Sequence, residues 1–276
     1  MSSAALDHLR DLCAAGLGKR LDLLEAALAL SNLQHGQPID LTPYRQHVAA
    51  MSETVGDLVR RRGAAAELLG EVIARAYAYR GDSETYDDLQ NADLVRVIER
   101  RKGLPVALAI LYLHIARAQG WDSEGLAFPG HFLIRVEVEG ARHVVDPFNE
   151  GTVRDATDLR DLLAKVLGPD TEPNPAHFDP VSDRQVLLRL ENNIRLRLAQ
   201  REDWPGAMRS LERMLVIAPD EAPLQFEAGQ LNVRLDKRRA AIASFERFLV
   251  LDRNGGDPQM RQHASALLQE LRRGLN

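Results

Sequence analysis

The C-terminal third of this chain repeats itself. The stretch AMRSLERMLVIAPD, which begins at Ala207, aligns with AIASFERFLVLDRN, which begins at Ala241, at an offset of 241 − 207 = 34 residues. A fixed period of this length is typical of helical hairpins that stack on one another, because one hairpin cannot bury its apolar face alone. The repeat therefore predicts a helical module over residues 182–276, closed by a last helix in DPQMRQHASALLQELRRGL.

The side chains at equivalent positions fit closely packed helix pairs. Ala207 and Ala241 are small residues at which two helices can approach, and bulky apolar residues follow one and two turns later. The predicted repeat-packing residues are Ala207, Leu211, Met214, Pro219, Gly229, Ala241, Phe245 and Phe248. The match is partial, since Arg195 stands in the first unit where the second has Gly229. The period indicates tetratricopeptide-type repeats, whereas a plain helical bundle, the alternative, would leave the offset unexplained.

Composition and charge fit a globular protein of two domains. The chain has 276 residues, of which 45% are hydrophobic and 27% charged, and its formal net charge is -5. This length exceeds the usual range for one domain, about 100–200 residues. Direct nucleic-acid binding is not expected, because basic residues cluster only in short runs such as Arg60-Arg61-Arg62 and Arg100-Arg101-Lys102, and no basic face is evident.

The sequence also bears on the compartment. The N-terminus has no secretory signal pattern, and no segment is apolar enough to span a membrane. The single cysteine, Cys13, excludes an intramolecular disulfide and a multi-cysteine zinc site. These features predict a cytoplasmic protein with no membrane partner.

Residues 1–168 are predicted to combine helices with a few antiparallel strands. The first hundred residues show helical periodicity, and the segment after Pro105 is apolar almost all round, as in a helix packed on both sides. The next run, FPGHFLIRVEVEGARHVVDPFNEG at 128–151, alternates apolar and polar residues around a glycine turn. It predicts two strands, with His131 opening the first and Asp146 closing the second. The fold class is therefore α+β and mostly helical.

A proline-rich stretch separates the two predicted domains. Prolines stand at positions 169, 173, 175 and 180, and such a stretch favours a linker. The predicted boundaries are a helical N-terminal region and α+β core at 1–168, a linker at 169–181 and the repeats at 182–276.

A histidine and an aspartate on adjacent strands are two members of an acyl-transfer triad. In such a site the nucleophile favours a helix N-terminus, the histidine acts as base and the aspartate orients it. Residues 103–147 resemble the transglutaminase-like core, which has GxC at a helix start, RAxG at its end, and then His and Asp on consecutive strands. RAQG at 117–120, His131 and VVDP at 144–147 match that pattern. The resemblance puts the nucleophile at Pro105, the third residue of GLP, which has no nucleophilic atom.

Longer runs resemble a more specific family. YRGDSETYDDLQNADLVRVIERRKGLPVALAILYL, FPGHFLIRV, VVDPFNEG and VSDRQVLLRLENNI are similar to a bacterial family of transglutaminase-like plus tetratricopeptide proteins, the SirB-type regulators of sirC expression. This resemblance implies a degenerate papain-like fold in which proline occupies the nucleophile position. The chain departs from the family at Ala92 and Ala107, where serine is frequent, and both changes remove hydroxyls that could replace a thiol.

We therefore expect His131 and Asp146 to form a vestigial triad or a reused pocket. Asn91, Gly103 and Gly130 are expected beside this pocket. No residue is assigned a catalytic role, and no cofactor or metal is expected.

Three further possibilities are less favoured. Cys13 lies on an apolar helical stripe, which indicates an inert core cysteine. Ser123, expected in a loop after the central helix, could reach His131 only by accident of folding. A metal site from His131, His143 and Asp146 is disfavoured, because residues 143 and 146 face opposite sides of a regular strand.

Two functions remain open at this point. The first is a non-catalytic interaction or regulatory protein that binds a protein or peptide through the C-terminal repeats. The second is an amide hydrolase or acyl transferase that uses His131 and Asp146 with an unidentified nucleophile or an activated water. The sequence names no partner and no substrate, and it does not fix the oligomeric state.

Overall fold

A computed structural model describes residues 3–15, 20–169, 171–252 and 257–273. In these ranges the helices are α1 (Ser3–Ala15), α2 (Leu23–His35), α3 (Thr42–Arg62), α4 (Glu67–Gly70), α5 (Leu94–Arg100), α6 (Pro105–Ala118), α7 (Ala156–Leu167), α8 (Asp183–Gln200), α9 (Trp204–Ile217), α10 (Ala222–Arg234), α11 (Arg238–Leu251) and α12 (Pro258–Arg273). The strands are β1 (Arg80–Gly81), β2 (Lys102–Gly103), β3 (Asp122–Leu126), β4 (Ile134–Val138), β5 (Ala141–Asp146), β6 (Thr152–Arg154) and β7 (Pro180–Val181). A π-helical turn, Glu71–Ala76, follows α4, and 3₁₀ turns cover Leu89–Ala92 and Pro175–Phe178. The predicted α+β class, mostly helical with a small antiparallel sheet, is confirmed.

The chain divides into two compact units, Met1–Leu190 and Glu191–Asn276. The division falls inside α8, after the end of the linker expected at 169–181. Within that stretch Asn174 caps a 3₁₀ turn by accepting a hydrogen bond from the Ala176 amide at 3.0 Å. β7 then pairs with β3 through Val181 and Gly125. Proline permits both elements, because a 3₁₀ start and an edge strand each leave its missing N–H without consequence.

Helix α6 is the centre of the first unit. Every residue from Val106 to Leu113 is buried, since the helix contacts α2, α3, α5 and β3. Leu104 precedes it with extended backbone, and Pro105 is the first helical residue, where its fixed φ angle suits a helix start. Each large aliphatic side chain buried in this way contributes about 1.5–3 kcal/mol.

The main sheet has five strands in the order β6-β5-β4-β3-β7, with antiparallel pairing throughout. The sequence predicted the β4–β5 hairpin but missed β3 and β6. The expectation that His131 opens a strand was wrong, because β4 begins at Ile134. Gly130 adopts a φ of +67°, and this left-handed residue keeps the chain in a turn before it enters the strand.

Ser123 was expected in a loop, and this expectation was also wrong. It lies inside β3, where it is buried and pairs with Val136 of β4. The sequence DSEGL has little intrinsic preference for a strand. The conformation of β3 is therefore determined by its pairing with β4 on one side and with β7 on the other.

The second unit is a series of antiparallel helices, α9 to α12, preceded by the last part of α8. Ala207, Leu211, Met214, Ala241, Phe245 and Phe248 are buried, and Pro219 is exposed in the turn after α9. At Gly229 an added Cβ would lie 2.5 Å from the Phe245 ring, so glycine permits the close approach of α10 and α11. Glu191 and Arg213 form a buried ion pair at 2.9 Å. The helical repeat module predicted from the 34-residue period is confirmed.

No helix in the described ranges is both long and apolar enough to cross a bilayer. The apolar stripe at the start of the sequence predicts either one helix or two helices broken near Gly16 and Gly18, and these two glycines lie outside the described residues.

Candidate functional site

Two neighbouring strands bring His131 and Asp146 together. β4 and β5 pair with Ile134 opposite Val145, so the turn that holds His131 meets the end of β5, where Asp146 lies. Nε2 of His131 is 3.4 Å from Oδ2 of Asp146. The Asp146 side chain has no exposed surface, whereas the His131 side chain is 22% exposed.

Asp146 is held mainly by groups other than the histidine. Its Oδ1 accepts hydrogen bonds from the backbone amides of Phe148 and Asn149, both at 3.2 Å. Its Oδ2 accepts from Nδ2 of Asn149 at 2.7 Å and from Nη2 and Nε of Arg154 at 2.9 and 3.2 Å. The carboxylate therefore closes the turn after β5 and forms a two-pronged ion pair with β6.

These contacts decide the protonation state of Asp146. Burial by itself raises the pKa of the carboxyl group, but contacts with His131, Asn149 and Arg154 outweigh burial and lower the pKa to about 2. The group is ionised at neutral pH. Arg154 supplies a permanent positive charge, so the charge of Asp146 is compensated whether or not the histidine is protonated.

The histidine is less firmly held. Nε2 of His131 is buried and makes no hydrogen bond of acceptable geometry within the described part of the chain. In a working triad the aspartate fixes the tautomer and orientation of the ring by such a bond. The contact at 3.4 Å is electrostatic and leaves the ring orientation less determined.

The position expected for the nucleophile serves to start a helix. Pro105 is half-buried at the first position of α6. The segment before it is fixed by Asn91, whose carbonyl accepts a hydrogen bond from the Leu104 amide at 2.8 Å. The Asn91 side chain accepts from Arg100 at 3.0 Å and donates to the Thr85 carbonyl at 2.7 Å. Asn91 is thus part of the scaffold of the helix start.

A buried carboxylate completes this scaffold. Asp82 is 1% exposed and accepts hydrogen bonds from Thr85 and from Nη2 of Arg100, the latter at 3.1 Å. Burial raises its pKa, but hydrogen bonds from Thr85 and Asn91 and the charge of Lys102 lower the pKa to about 2. The sequence gave no sign that Asp82 has this role, except that Asp82 belongs to the run YRGDSETYDDLQNADLVRVIERRKGLPVALAILYL that resembles the bacterial family.

The two glycines predicted beside the site are required by packing. A Cβ at Gly103 would lie 2.9 Å from Val97, and a Cβ at Gly130 would lie 2.6 Å from Val166 of α7. Gly130 also has a positive φ. Neither glycine is therefore evidence for a bound ligand.

Neither alternative nucleophile is near enough to hydrogen-bond His131. Cys13 is 2% exposed in α1, and burial raises the pKa of its thiol. The Ser123 hydroxyl is buried and donates to the Leu113 carbonyl at 3.5 Å, on the α6 side of β3. In the described ranges no hydroxyl or thiol hydrogen-bonds to Nε2 of His131.

Sequence reasoning missed two residues beside Asp146. Arg154 carries its counter-charge, as described above. Tyr112 of α6 is fully buried, and its hydroxyl has no hydrogen-bond partner within the described residues. Burial, with the nearby carboxylates of Asp146 and Glu150, raises the pKa of Tyr112, so its phenol stays neutral and adds no charge to the site.

No group of three or more His, Cys, Asp or Glu side chains in the described ranges is arranged to hold a metal ion. His143 lies on β5 opposite Val136, three residues before Asp146, so its side chain points away from the carboxylate.

Sequence comparisons agree with this architecture. Residues 42–192 match the profile of the family described as "Transglutaminase-like superfamily", and residues 194–269 match a tetratricopeptide repeat profile. The UPF0162 protein of Xylella fastidiosa strain Temecula1 is 34% identical over 176 residues, which are 63% of each chain. The UPF0162 protein of Vibrio cholerae is 27% identical over 232 residues, 83% of this chain and 86% of the relative.

This chain also shows weaker similarity to proteins with other names. Human F-box only protein 21 is 28% identical over 181 residues, which are 61% of this chain and 28% of that protein. The match to the Xylella relatives spans 63% of their length, slightly under two thirds. A crystal structure of menin, described as revealing its binding site for the Mixed Lineage Leukemia protein, covers 94% of this chain and 72% of menin, with 12% identity and a TM-score of 0.40.

Proposed function

Because this chain belongs to the transglutaminase-like superfamily but has Pro105 where the resemblance puts the nucleophile, we propose that it is a non-catalytic interaction protein. In this proposal the core is a scaffold, and the helical repeats bind a protein or peptide partner. The regulatory role of SirB-type proteins is part of the proposal, as is a cytoplasmic location. Regulation would then act through protein contacts and without direct nucleic-acid binding.

The observation that carries this proposal is the residue at the start of α6. Acyl transfer by this fold needs a thiol or hydroxyl at a helix N-terminus, where the dipole stabilises the anion. Pro105 offers neither, and it does what proline does at a first helical position. The ion pair of Asp146 with Arg154 supports the same reading, because it gives the carboxylate a structural task that does not depend on His131.

Partner binding is assigned to the repeats. Tetratricopeptide repeats generally mediate protein–protein interactions. Leu196 of α8 and Val233 of α10 are 45% and 40% exposed, and exposed apolar side chains on the first helices of the two repeats are what a partner segment would cover.

The test is capture of partners by the full-length protein from an extract of its own cells. Leu196→Asp and Val233→Asp together should remove the captured protein, because they put charge on the expected contact. His131→Ala should leave capture unchanged. Loss of the partner in His131→Ala, with retention in the double variant, would move the binding surface from the repeats to the core.

A hydrolase or acyl transferase remains the second candidate. The observation in its favour is the short distance of 3.4 Å between Nε2 of His131 and the ionised carboxylate of Asp146, since a carboxylate beside an imidazole supports a general base. Under this reading His131→Ala abolishes turnover of small amide and ester substrates while the circular dichroism spectrum is unchanged. We expect no turnover in the unsubstituted protein, and a His131-dependent activity would refute the non-catalytic proposal.

A further inference from the structure

A cleft lies away from the candidate site, where α2 ends and α5 begins. We call it the α2–α5 cleft, and it is lined by Gln34, His35, Leu89, Gln90, Asp93 and Arg96. The volume of the cleft is about 230 Å³, whereas sites for whole small molecules and cofactors measure about 300–1,000 Å³. The cleft is therefore of a size for one residue of a longer chain.

One hydrogen-bond donor of this cleft has no partner. Gln34 is half-buried near the end of α2, and its amide nitrogen Nε2 is buried and makes no hydrogen bond within the described ranges. A buried polar group without a partner destabilises a fold, and an apolar side chain of similar size would avoid that cost. A ligand that brings an acceptor oxygen would satisfy this donor.

The charged side chains of the cleft are already paired within the fold. Nε2 of His35 lies 2.7 Å from Oδ2 of Asp93, and Oδ1 of Asp93 accepts a hydrogen bond from the Val95 amide at 3.1 Å. Nη1 of Arg96 donates to Oε2 of Glu99 at 2.7 Å. Each cation of the lining thus faces a carboxylate, so the unsatisfied donor calls for a neutral acceptor and the cleft does not select an anion.

The rim of the cleft supplies an acceptor and an apolar surface. Nε2 of Gln90 donates to Oδ2 of Asp88 at 3.1 Å, and this contact leaves Oε1 of Gln90 as an acceptor in an exposed side chain. Leu89, the residue before it, is half-buried. A donor inside, an acceptor at the rim and an apolar side chain beside them complement a peptide group and an aliphatic side chain.

We propose that the α2–α5 cleft binds one residue of a peptide segment from a protein partner. A main-chain carbonyl oxygen of that residue accepts a hydrogen bond from Nε2 of Gln34, a main-chain N–H donates to Oε1 of Gln90, and the aliphatic side chain contacts Leu89. This inference goes beyond the proposed function, which assigns partner binding to the repeats, and it does not depend on it.

The test is titration of the ¹⁵N-labelled full-length protein with N-isobutylacetamide, which carries one amide group and one aliphatic branch. Binding is followed by NMR at the backbone amides of Leu89 and Asp93. A dissociation constant on the order of 10 mM is expected for so small a molecule. Isobutyl acetate, the ester of the same shape, has no N–H and a weaker acceptor, so it should bind at least about threefold more weakly. Isovalerate, a carboxylate, should bind no more tightly than the amide.

Gln34→Leu is the decisive variant. It should weaken binding of N-isobutylacetamide by at least about fivefold, because the buried donor is lost. It should also leave the melting temperature unchanged or higher, because it removes a buried polar group that has no partner. Gln37→Leu makes the same substitution at an exposed position outside the lining, and it should change the affinity less than about twofold.

Four results would overturn the inference. They are absence of binding by N-isobutylacetamide, equal weakening by Gln34→Leu and Gln37→Leu, tighter binding of isovalerate that depends on Gln34, and a lower melting temperature of Gln34→Leu, which would give the amide a structural task. Each of them leaves the proposed function untouched, since that is tested separately by capture through Leu196 and Val233.

Discussion

Replacement of Asp146 by asparagine tests whether this carboxylate is a structural member of the fold. Asparagine has the same shape, and its Oδ1 can still accept hydrogen bonds from the turn amides. Its Nδ2 then faces the donors of Asn149 and Arg154, so Asp146→Asn removes the charge together with the hydrogen bonds that Oδ2 accepts. The change leaves Arg154, whose side chain is 19% exposed, without its counter-charge. Removal of one partner from a buried pair costs about 3–5 kcal/mol.

The pKa gives a second measure, which covers all the groups that stabilise the charge of Asp146, namely His131, Asn149 and Arg154. A carboxyl pKa lowered from 3.8 to about 2 corresponds to about 2 kcal/mol at neutral pH, because one pKa unit is worth about 1.4 kcal/mol. Arg154 keeps some contact with water and can recover part of its hydration. We therefore expect Asp146→Asn to lower the free energy of unfolding of the first unit by about 2–4 kcal/mol at pH 7.

The effect should depend on pH with a defined sign. The pKa of Asp146 is lower in the folded state than in the unfolded state, so its stabilisation is complete above the unfolded value of 3.8 and is lost as the pH falls towards 2. Asparagine does not titrate. The difference between the two proteins should therefore shrink to about half at pH 3.

Urea unfolding followed by tryptophan fluorescence measures these values. The comparison is made in a Trp204→Phe background, so that Trp121, which is 8% exposed, reports on the unit that contains Asp146. Glu137→Gln is the control, because it breaks an exposed ion pair with Arg142 and should cost under about 0.5 kcal/mol. A loss for Asp146→Asn no larger than that of the control, or one that stays constant from pH 7 to pH 3, would refute the reasoning.

Two further predictions follow from packing and from the helix start. Gly229→Ala puts a Cβ 2.5 Å from the buried Phe245 ring and should lower the stability of the second unit by about 1–3 kcal/mol in thermal unfolding. Gly56→Ala, whose new Cβ meets only flexible side-chain ends at 3.1 and 3.3 Å, should be neutral or stabilising by up to about 1 kcal/mol; equal losses would contradict the packing argument. In Pro105→Cys the introduced thiol should be alkylated by iodoacetamide at least about tenfold faster than Cys13, because it lies at a helix N-terminus whereas Cys13 is buried. Peptide mapping after timed labelling measures the two rates. It would show the reverse order if position 105 is not accessible.

The parts of the fold that follow from periodicity could be predicted from the sequence. The apolar run of α6 and the 34-residue repeat are local patterns, and both elements are present. β3 could not be predicted, because its strand character comes from its neighbours. Its residue Gly125 would, with a Cβ, lie 2.8 Å from both Phe132 and Val181, so glycine is demanded there by tertiary packing although it disfavours a strand locally.

The partner of Asp146 was beyond the sequence for a similar reason. Val144 pairs with Arg154 across β5 and β6, and residues 144 and 146 point to the same face of the strand. Arg154 therefore reaches Asp146 along the diagonal of the strand pair. Its role depends on the register of β6, a strand of three residues that has no pattern of its own. The histidine, by contrast, was found from a motif. Whether its Nε2 hydrogen-bonds to Asp146 depends on a few tenths of an ångström in the distance and on the bond angle, which the sequence does not specify.

The residues that resemble a triad also stand where the fold needs them. Pro105 begins a buried helix, and Asp146 ends a strand, caps the following turn and neutralises Arg154. Substituting either one should therefore cost stability whether or not any chemistry occurs at the site. A loss of function after Asp146→Asn would by this reasoning be ambiguous, because unfolding and loss of a catalytic group predict the same result. His131 separates the two, since it is part-exposed and makes no hydrogen bond through Nε2 among the described residues. Its replacement by alanine should cost less stability than Asp146→Asn, because the turn amides, Asn149 and Arg154 still hold the carboxylate. A function that His131→Ala removes from a protein that is still folded therefore belongs to the site itself.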